Sequence, residues 1–354
     1  FLKINGFADK FEDYVARGYY SLSSPIWSNF GRVRGLPISC FGSYVSDTME
    51  GIMDKVAETA IMTKHGGGTS AYFGDVRCRG AEISTGGTST GVHHQLTVFD
   101  ALTNYISQSN VRRGSFAAYL PIDHGDIEEF LGIRRPKGDV NRQCLNLHQC
   151  VSIDDKFMKR LEHRDPEAME LWVEILKSRV ETGEPYLMFK DNVNNQNPPA
   201  YVKNNLDVTM TNICSEIALH TDEEHSFVCC LSSLNLTKYE EWKDTDLVET
   251  AIYFLDGVLE EFLVKTNGKD SLIRAHRSAK KGRALGLGVL GWHSFLQSKG
   301  LPFNSIASTS WTNRIFAQIK TQAEAASRKL AEEYGEPIWC KGTGMRNTHL
   351  IAIA

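Results

Sequence analysis

Amphipathic helical stretches and short strand-like runs alternate along this chain, and no repeat, low-complexity tract or proline- and serine-rich linker separates them. Apolar residues that recur every three or four positions predict the helices, whereas short runs rich in apolar, β-branched and aromatic residues predict the strands. We expect helices over residues 47–64, 165–183, 247–266 and 310–334, and strands over residues 116–120, 147–153 and 185–189. This alternation predicts a single α/β domain with several parallel strands.

The ends of two helices carry recognisable signals. Asp47, with Glu50 three residues later, has the pattern of a capping box, and the glycines at 66–68 end that helix. Asp165 and Pro166 mark the start of another helix, because proline is well tolerated in a first turn.

Composition excludes several classes of protein. The 354 residues carry a net charge of -4, with a pI near 6.3, so the chain lacks the basic footprint of a nucleic-acid-binding protein. No apolar run approaches the roughly 20 residues of a membrane helix, and the first residues do not resemble a signal peptide. Eight cysteines are too sparse for a disulfide-stapled secreted fold. We therefore expect a cytoplasmic protein with reduced thiols.

The segment 211–217, Thr-Asn-Ile-Cys-Ser-Glu-Ile, carries the most informative chemistry. In an extended backbone, Asn212, Cys214 and Glu216 would point to one face. A thiol, a carboxylate and an amide on one face suit a catalytic site, but they also suit an edge strand with a solvated polar face. Residue types alone favour the edge strand, because short patterns recur by chance.

Several further motifs in a consistent order favour the catalytic interpretation. Asn-x-Cys-x-Glu followed by Ile-Ala-Leu resembles the finger-loop motif of ribonucleotide reductases, and the resemblance extends over nearly the whole chain. Other segments that resemble this family, in the family's order, are residues 22–26, 39–40, 64–74, 111–114, 228–232 and 285–289.

The resemblance implies a ten-stranded α/β barrel made of two antiparallel halves, with Cys214 on a finger loop in the middle. Residues 1–354 would form one partial catalytic barrel domain, lacking the last strands, the family's N-terminal ATP-sensing domain and its C-terminal part. We therefore expect the chain to need a complementary polypeptide for turnover. Whether the sequence is partial or belongs to a naturally split subunit stays open.

The resemblance also implies a role for each catalytic residue. Cys214 would carry the thiyl radical that abstracts the 3′ hydrogen of the ribose. Glu216 would take the proton of the 3′ hydroxyl, and Asn212 would hydrogen-bond the substrate hydroxyls. Cys40 and Cys229 would deliver two electrons and close a disulfide.

The neighbouring Cys229 and Cys230 leave this disulfide pairing ambiguous. The family pattern has one cysteine at this place, and Cys229 fits it, whereas Cys230 occupies a position that varies in the family. A disulfide with Cys40 requires Cα atoms within about 7 Å. Two ordinary buried thiols are the alternative.

Three residues match places that contact substrate in the family: Ser24, Ser39 and Gly68. A glycine beside a ligand allows close approach of the backbone. The alternative for residues 66–68 is that they only end the preceding helix.

Asp47 and Arg77 match contacts to a nucleotide effector, and Arg112 lies in a segment, 109–115, that resembles the family's specificity loop. The alternatives are that Asp47 only caps its helix, that Arg77 is a surface charge, and that Arg112 reads a substrate phosphate or base.

Two other patterns carry less weight. Residues 286–291 match GxGxxG, but the preceding Ala-Lys-Lys-Gly-Arg is not the strand that a dinucleotide site needs. His93, His94 and His148 lack partners at metal-ligand spacing, so we expect no metal site in this chain.

The function implied by the resemblance is reduction of ribonucleoside diphosphates to deoxyribonucleotides for DNA synthesis. The implied partners are a small subunit whose dinuclear metal centre generates the radical, a second copy of the chain, a chain with the missing C-terminal part, ATP and dNTP effectors, and thioredoxin or glutaredoxin. A cobalamin-dependent radical source remains an alternative. A different thiyl- or glycyl-radical barrel enzyme and a degenerate nucleotide-binding subunit are the rival functions.

Overall fold

The computed structural model of the chain describes residues 6–84, 86–108 and 112–352. In these ranges the strands are β1 Tyr20–Leu22, β2 Cys40–Tyr44, β3 Gly68–Tyr72, β4 Ser107–Gln108, β5 Arg112–Arg113, β6 Phe116–Pro121, β7 Leu147–Ile153, β8 Tyr186–Phe189, β9 Phe227–Asn235 and β10 Leu285–Leu290. The α-helices are α1 Phe7–Ala16, α2 Ser24–Asn29, α3 Met49–Lys64, α4 Val92–Tyr105, α5 Ile127–Gly132, α6 Asp155–Glu162, α7 Pro166–Thr182, α8 Lys190–Asn194, α9 Pro199–Asn204, α10 Tyr239–Trp242, α11 Leu247–Thr266, α12 Ile273–Gly282, α13 Trp292–Ser298 and α14 Ile306–Tyr334.

The main sheet consists of two halves that run in opposite directions. Strands β2, β3, β6, β7 and β8 pair in parallel, in that order. Strand β9 lies antiparallel to β2 and parallel to β10, and the short β1 pairs with the far part of β9. A parallel bridge from Leu287 to Ile351 continues the second half beyond β10. The expected α/β barrel of two antiparallel halves is confirmed, with eight strands in the sheet of the described residues.

Side chains along each strand point alternately to the two faces of the sheet, which divides the core into an outer and an inner layer. In β6, Phe116, Ala118 and Leu120 face the helices outside, whereas Ala117 and Tyr119 face inward. This is the period-two geometry of a strand. The inward-facing residues form a third apolar cluster with the segment that contains the catalytic motif, so that segment is enclosed by the curved sheet.

Helix α11 is the main support of the second half. It is buried along nearly its whole length and packs against α14, β9 and β10. A helix that is apolar on most of its circumference lies inside a protein, as this one does. None of the helices in the described ranges has both the length and the apolar character that crossing a membrane requires.

Most predicted elements are confirmed. Helix α7 begins after Asp165, whose carboxylate accepts from the Ala168 N–H, and it ends at Gly183 in the left-handed conformation. The bounds of α11 and β7 match the predicted ones. Helix α14 begins four residues earlier than predicted, because the Ser305 hydroxyl caps it by accepting from the Ser308 N–H.

The predicted capping box at Asp47 is wrong. Thr48 caps helix α3, and its hydroxyl accepts from the Gly51 N–H at 3.0 Å. The Asp47 carboxylate is instead bound to Arg77, at 2.6 Å from its guanidinium. A tertiary ion pair thus competes with, and replaces, the local cap.

Candidate active site

The segment that carries Asn212, Cys214 and Glu216 forms a turn, not the extended strand that would place all three on one face. The Ser215 N–H donates to the Asn212 carbonyl at 3.0 Å, and Ser215 has a φ of 70°. The Asn212 side-chain oxygen accepts from the N–H groups of Glu216 and Ile217, at 3.0 and 2.9 Å. Asn212 is therefore fully buried, and Cys214 is exposed at the tip of the turn.

Hydroxyl groups on three neighbouring parallel strands hold this loop from below. Ser70 on β3 donates to the Thr211 carbonyl at 3.0 Å. The Tyr119 hydroxyl on β6 contacts the Thr211 hydroxyl and donates to the Asn212 carbonyl at 3.2 Å. Ser152 on β7 donates to the Thr209 carbonyl, two residues before Thr211, at 3.0 Å. These anchors were not predicted from the sequence, although their inward positions follow from strand alternation once the strands are known.

The two halves of the barrel bring Cys40 and Cys229 together. The two residues are directly opposite each other on the antiparallel strands β2 and β9. The Asn212 side-chain N–H donates to the Cys40 sulfur at 3.2 Å, so the loop contacts this pair. Cys230 points to the other side of β9, where its thiol faces the Leu255 carbonyl of α11. This geometry favours Cys229 as the partner of Cys40.

Burial controls the protonation of these thiols. Loss of water contact, together with the nearby Cys230, Cys40 and Glu216, raises the pKa of Cys229 well above its ordinary value. Cys229 therefore holds its proton at neutral pH, and it can donate hydrogen as a thiol but is a poor thiolate nucleophile.

A cavity of about 960 Å³ opens beside the loop, and both Glu216 and Cys229 line it. One carboxylate oxygen of Glu216 is buried and has no hydrogen-bond partner among the described residues. A buried acceptor without a partner is costly unless a ligand satisfies it. Cys214 is not among the residues that line this cavity.

The three predicted substrate contacts lie close to one another. Ser39 is buried, its hydroxyl donates to the Ser23 hydroxyl at 3.2 Å, and its carbonyl accepts from the Gly68 N–H at 2.9 Å. Ser24 follows Ser23 at the start of α2. A Cβ at Gly68 would lie 3.0 Å from the Ile213 side chain, so glycine allows the loop to pack closely here. It is Gly66, with a φ of 93°, that ends helix α3.

Two of the predicted effector residues, Asp47 and Arg77, lie at the other end of the parallel strands. Asp47 and Arg77 follow β2 and β3 and form an ion pair, supported by a bond of 3.1 Å from the Arg77 N–H to the Asp47 carboxylate. Arg112 instead belongs to β5, which pairs with β4 and precedes β6, at the end of the sheet where Gly68 begins β3. Residues 109–111 of the predicted specificity loop lie outside the described residues.

The residues of the GxGxxG pattern at 286–291 lie in a strand and at its end, not in a loop that follows a strand. Residues 285–290 are themselves strand β10, paired with β9. Gly286 allows close strand packing, because a Cβ there would lie 2.4 Å from the Leu231 side chain and 3.1 Å from the Cys229 sulfur.

The sheet and its thiol-bearing loop define a barrel of the radical-enzyme type, and comparisons with known proteins agree. The family described as "Ribonucleotide reductase, barrel domain" matches residues 38–167 and 162–351. The Actinobacillus ureae class Id ribonucleotide reductase alpha subunit superposes with a TM-score of 0.93 at 47% identity, covering 99% of this chain and 65% of that one.

Two curated relatives extend this similarity. The putative ribonucleoside-diphosphate reductase large subunit of Frog virus 3 (isolate Goorha) is 42% identical, over 98% of this chain and 63% of its own length. The vitamin B12-dependent ribonucleoside-diphosphate reductase of Thermoplasma acidophilum is 30% identical, over 98% of this chain and 47% of its own. The chain belongs to the ribonucleotide reductase barrel-domain family. It spans less than two thirds of the length of these relatives.

Proposed function

We propose that the chain forms the catalytic barrel of a ribonucleoside-diphosphate reductase large subunit. The observation that carries the proposal is the pairing of Cys40 with Cys229, with Asn212 bound to the Cys40 sulfur and Glu216 lining the same cavity as Cys229. Two adjacent thiols supply the two electrons that a net reduction of substrate requires, whereas a radical enzyme that only rearranges its substrate has no need for them.

The proposed reaction balances as follows. The Cys214 thiyl radical takes the hydrogen atom from C3′ and becomes a thiol. Glu216 takes the proton of the 3′ hydroxyl, and the 2′ hydroxyl leaves as water with a proton from one of the two thiols. Cys40 and Cys229 join in a disulfide, and their two electrons and second proton form the new C–H bond at C2′, while Glu216 returns its proton to the 3′ oxygen. Cys214 then returns its hydrogen atom to C3′, which regenerates the thiyl radical and leaves a deoxyribonucleotide.

The geometry supports these roles to different degrees. The raised pKa of Cys229 favours a thiol over a thiolate, as the proposed hydrogen donation requires. Glu216 offers a carboxylate oxygen without a partner in the described part of the chain, which suits a base that accepts from a substrate hydroxyl. Contact of Asn212 with substrate stays a prediction, because its amide already binds the loop and Cys40.

The proposed partners follow from the same assignment. A small subunit with a dinuclear metal centre would generate the radical, and thioredoxin or glutaredoxin would reduce the disulfide. ATP and dNTP effectors would bind near Asp47 and Arg77, in a dimer of the chain, and Arg112 would act from the specificity loop at the other end of the parallel strands. A cobalamin-dependent radical source is the alternative, supported by the similarity to the vitamin B12-dependent relative.

An activity assay tests the proposal. The chain is combined with a polypeptide that supplies the remainder of a relative's length, a radical-generating small subunit, dithiothreitol and CDP, and formation of dCDP is measured. We expect Cys214→Ala to abolish product. The matched control is Cys78→Ala, because Cys78 is a partly buried thiol outside the candidate site.

Two results would contradict the proposal. Equal activity in Cys214→Ala and the parent would show that Cys214 does not carry the radical. Nucleotide binding without dCDP formation, with either the small subunit or adenosylcobalamin present, would instead favour the degenerate-subunit alternative.

A further inference from the structure

Two histidines and an aspartate meet in the connection between the finger loop and β9. His220 Nε2 lies 3.0 Å from one carboxylate oxygen of Asp222, and His225 Nδ1 lies 2.8 Å from the other. One potential ligand atom of each residue lies within 4.8 Å of the other two. Asp222 and His225 also pair as an antiparallel bridge, so the backbone fixes their spacing. The proposed reductase chemistry uses none of these side chains.

The hydrogen bonds of His220 place the unprotonated nitrogen of its ring opposite another hydrogen-bond acceptor. His220 Nδ1 lies 2.7 Å from the Asp207 carbonyl oxygen, which can only accept, so Nδ1 carries the hydrogen. The lone pair of Nε2 then faces the Asp222 carboxylate, which is also an acceptor. A second proton or a cation must lie between them. A backbone carbonyl that holds the far N–H is the arrangement that orients metal-binding histidines.

We propose that His220 Nε2, the Asp222 carboxylate and His225 Nδ1 form a Zn²⁺ site. Imidazole nitrogen and carboxylate oxygen are ordinary zinc ligands, and tetrahedral bonds of about 2.0–2.2 Å place ligand atoms roughly 3.4 Å apart. The Asp222 side chain is 45% exposed, whereas those of His220 and His225 are 11% and 10% exposed. The ion can therefore enter from solvent at the aspartate, and water would complete the fourth position.

Neighbouring charges leave the carboxylate available for this role. Arg277 is bound to the side chain and carbonyl of Glu224 and does not pair with Asp222. Among the described residues, the remaining contact of the Asp222 carboxylate is a bond from the Glu224 N–H, at 2.8 Å, which a metal-bound carboxylate can keep.

The ammonium group of Lys281 disfavours metal binding by His225, so a substitution of Lys281 tests the proposed geometry. Its ammonium group lies 2.8 Å from His225 Nε2. Once Nδ1 binds the ion, Nε2 must carry the hydrogen and would meet another donor. Lys281 is half-buried at the end of α12, so it can turn outward. Glutamine at this position would offer an acceptor to Nε2–H instead.

The spacing His-x-Asp-x-x-His at 220–225 was not among the candidate metal patterns in the sequence, which were those of His93, His94 and His148. The proposal therefore revises the expectation that the chain holds no metal.

Isothermal titration calorimetry tests the site. The chain is first treated with a chelator and is then titrated with ZnCl₂. We expect saturable binding of one ion, lost in His220→Ala and in Asp222→Asn. Lys281→Gln should tighten binding about 10- to 100-fold, the range that outer hydrogen-bond partners of ligands control. The matched control, His94→Ala, removes an exposed histidine elsewhere and should bind as the parent does.

Co²⁺ replaces Zn²⁺ in a parallel experiment that separates histidine from cysteine ligation. We expect visible d–d bands without a thiolate-to-cobalt charge-transfer band. Thermal unfolding shows whether each variant is folded. If His220→Ala does not fold, Asp222→Asn carries the test, because it alters the most exposed of the three ligands. The proposal is overturned by absence of saturable binding in the parent, by equal binding in a folded His220→Ala or Asp222→Asn, by unchanged or weaker binding in Lys281→Gln, or by a thiolate charge-transfer band.

Discussion

Cys40 and Cys229 lie directly opposite each other where the parallel half of the barrel meets the strand that runs against it. Opposed residues of antiparallel strands have Cα atoms about 4.5–5.5 Å apart, within the reach of a disulfide. Neither cysteine is in a disulfide in this structure. The junction of the two half-barrels therefore creates a pair that neither half contains alone.

Mild oxidation of the chain should join Cys40 to Cys229 specifically. Cys230 faces the opposite side of β9 and is too poorly oriented to compete. Peptide mapping under non-reducing conditions should find the cross-link in the parent and in Cys230→Ser, and should lose it in Cys229→Ser. A Cys40–Cys230 cross-link in the parent would contradict the orientation described above.

Tyr119→Phe should impair turnover more than folding. The Tyr119 hydroxyl holds the Thr211 and Asn212 part of the finger loop, and its loss should cost about 1–3 kcal/mol of stability. We expect kcat for CDP reduction to fall, with little change in KM, because the loop that carries Cys214 is mispositioned. Urea unfolding and steady-state kinetics measure the two effects.

The control for this variant is Tyr239→Phe, which removes a bond to Gln318 far from the loop. It should lose similar stability and keep its turnover. Equal kcat values in the two variants would show that the Tyr119 hydroxyl has only a structural role.

Arg77→Ala should weaken binding of a nucleotide effector such as dTTP. Loss of a charge-assisted contact of about 1.5 kcal/mol or more corresponds to roughly tenfold weaker binding. Equilibrium binding of dTTP measures the change. Arg79→Ala is the matched control, because Arg79 lies in the same loop as Arg77 but pairs with Glu129 of α5. If both variants bind dTTP equally well, Arg77 serves only its ion pair with Asp47.

Asp256→Asn should destabilise the chain by about 3–5 kcal/mol at neutral pH, because Arg283 would lose its buried counter-ion. Burial alone disfavours ionisation of Asp256, but Arg283 and Arg346 outweigh it and lower the pKa. A carboxyl whose pKa is lowered by folding stabilises the fold at pH values above the pKa of the unfolded chain, about 3.9. This contribution is lost as the pH falls through the pKa of the folded chain. The difference between the parent and Asp256→Asn should therefore shrink in acid.

Urea unfolding at several pH values measures this dependence. Glu249→Gln is the control, since it breaks a solvent-exposed pair with Lys329 and should stay within about 1 kcal/mol of the parent. A difference for Asp256→Asn that does not change with pH would contradict the assignment.

The long helices and the strands β6, β7 and β8 were predictable from the sequence. The bounds of α11 and β7 follow from local patterns of apolar residues, and the end of α7 follows from Gly183. Such signals are readable because each depends on residues close together in the chain. The cap of α3 was not predictable, because Arg77 binds Asp47 from 30 residues away.

By itself, the sequence determined the α/β class, the four longest helices, three strands of the parallel half and, through ordered motifs, the family of this chain. Only the tertiary structure decided that the Asn212 to Glu216 segment turns instead of extending, that Cys229 and not Cys230 faces Cys40, and that His220, Asp222 and His225 meet. The physical reason is that each of these outcomes depends on contacts with distant segments: hydroxyl groups of the parallel strands that hold the loop, the register between β2 and β9, and the Asp207 carbonyl that orients His220.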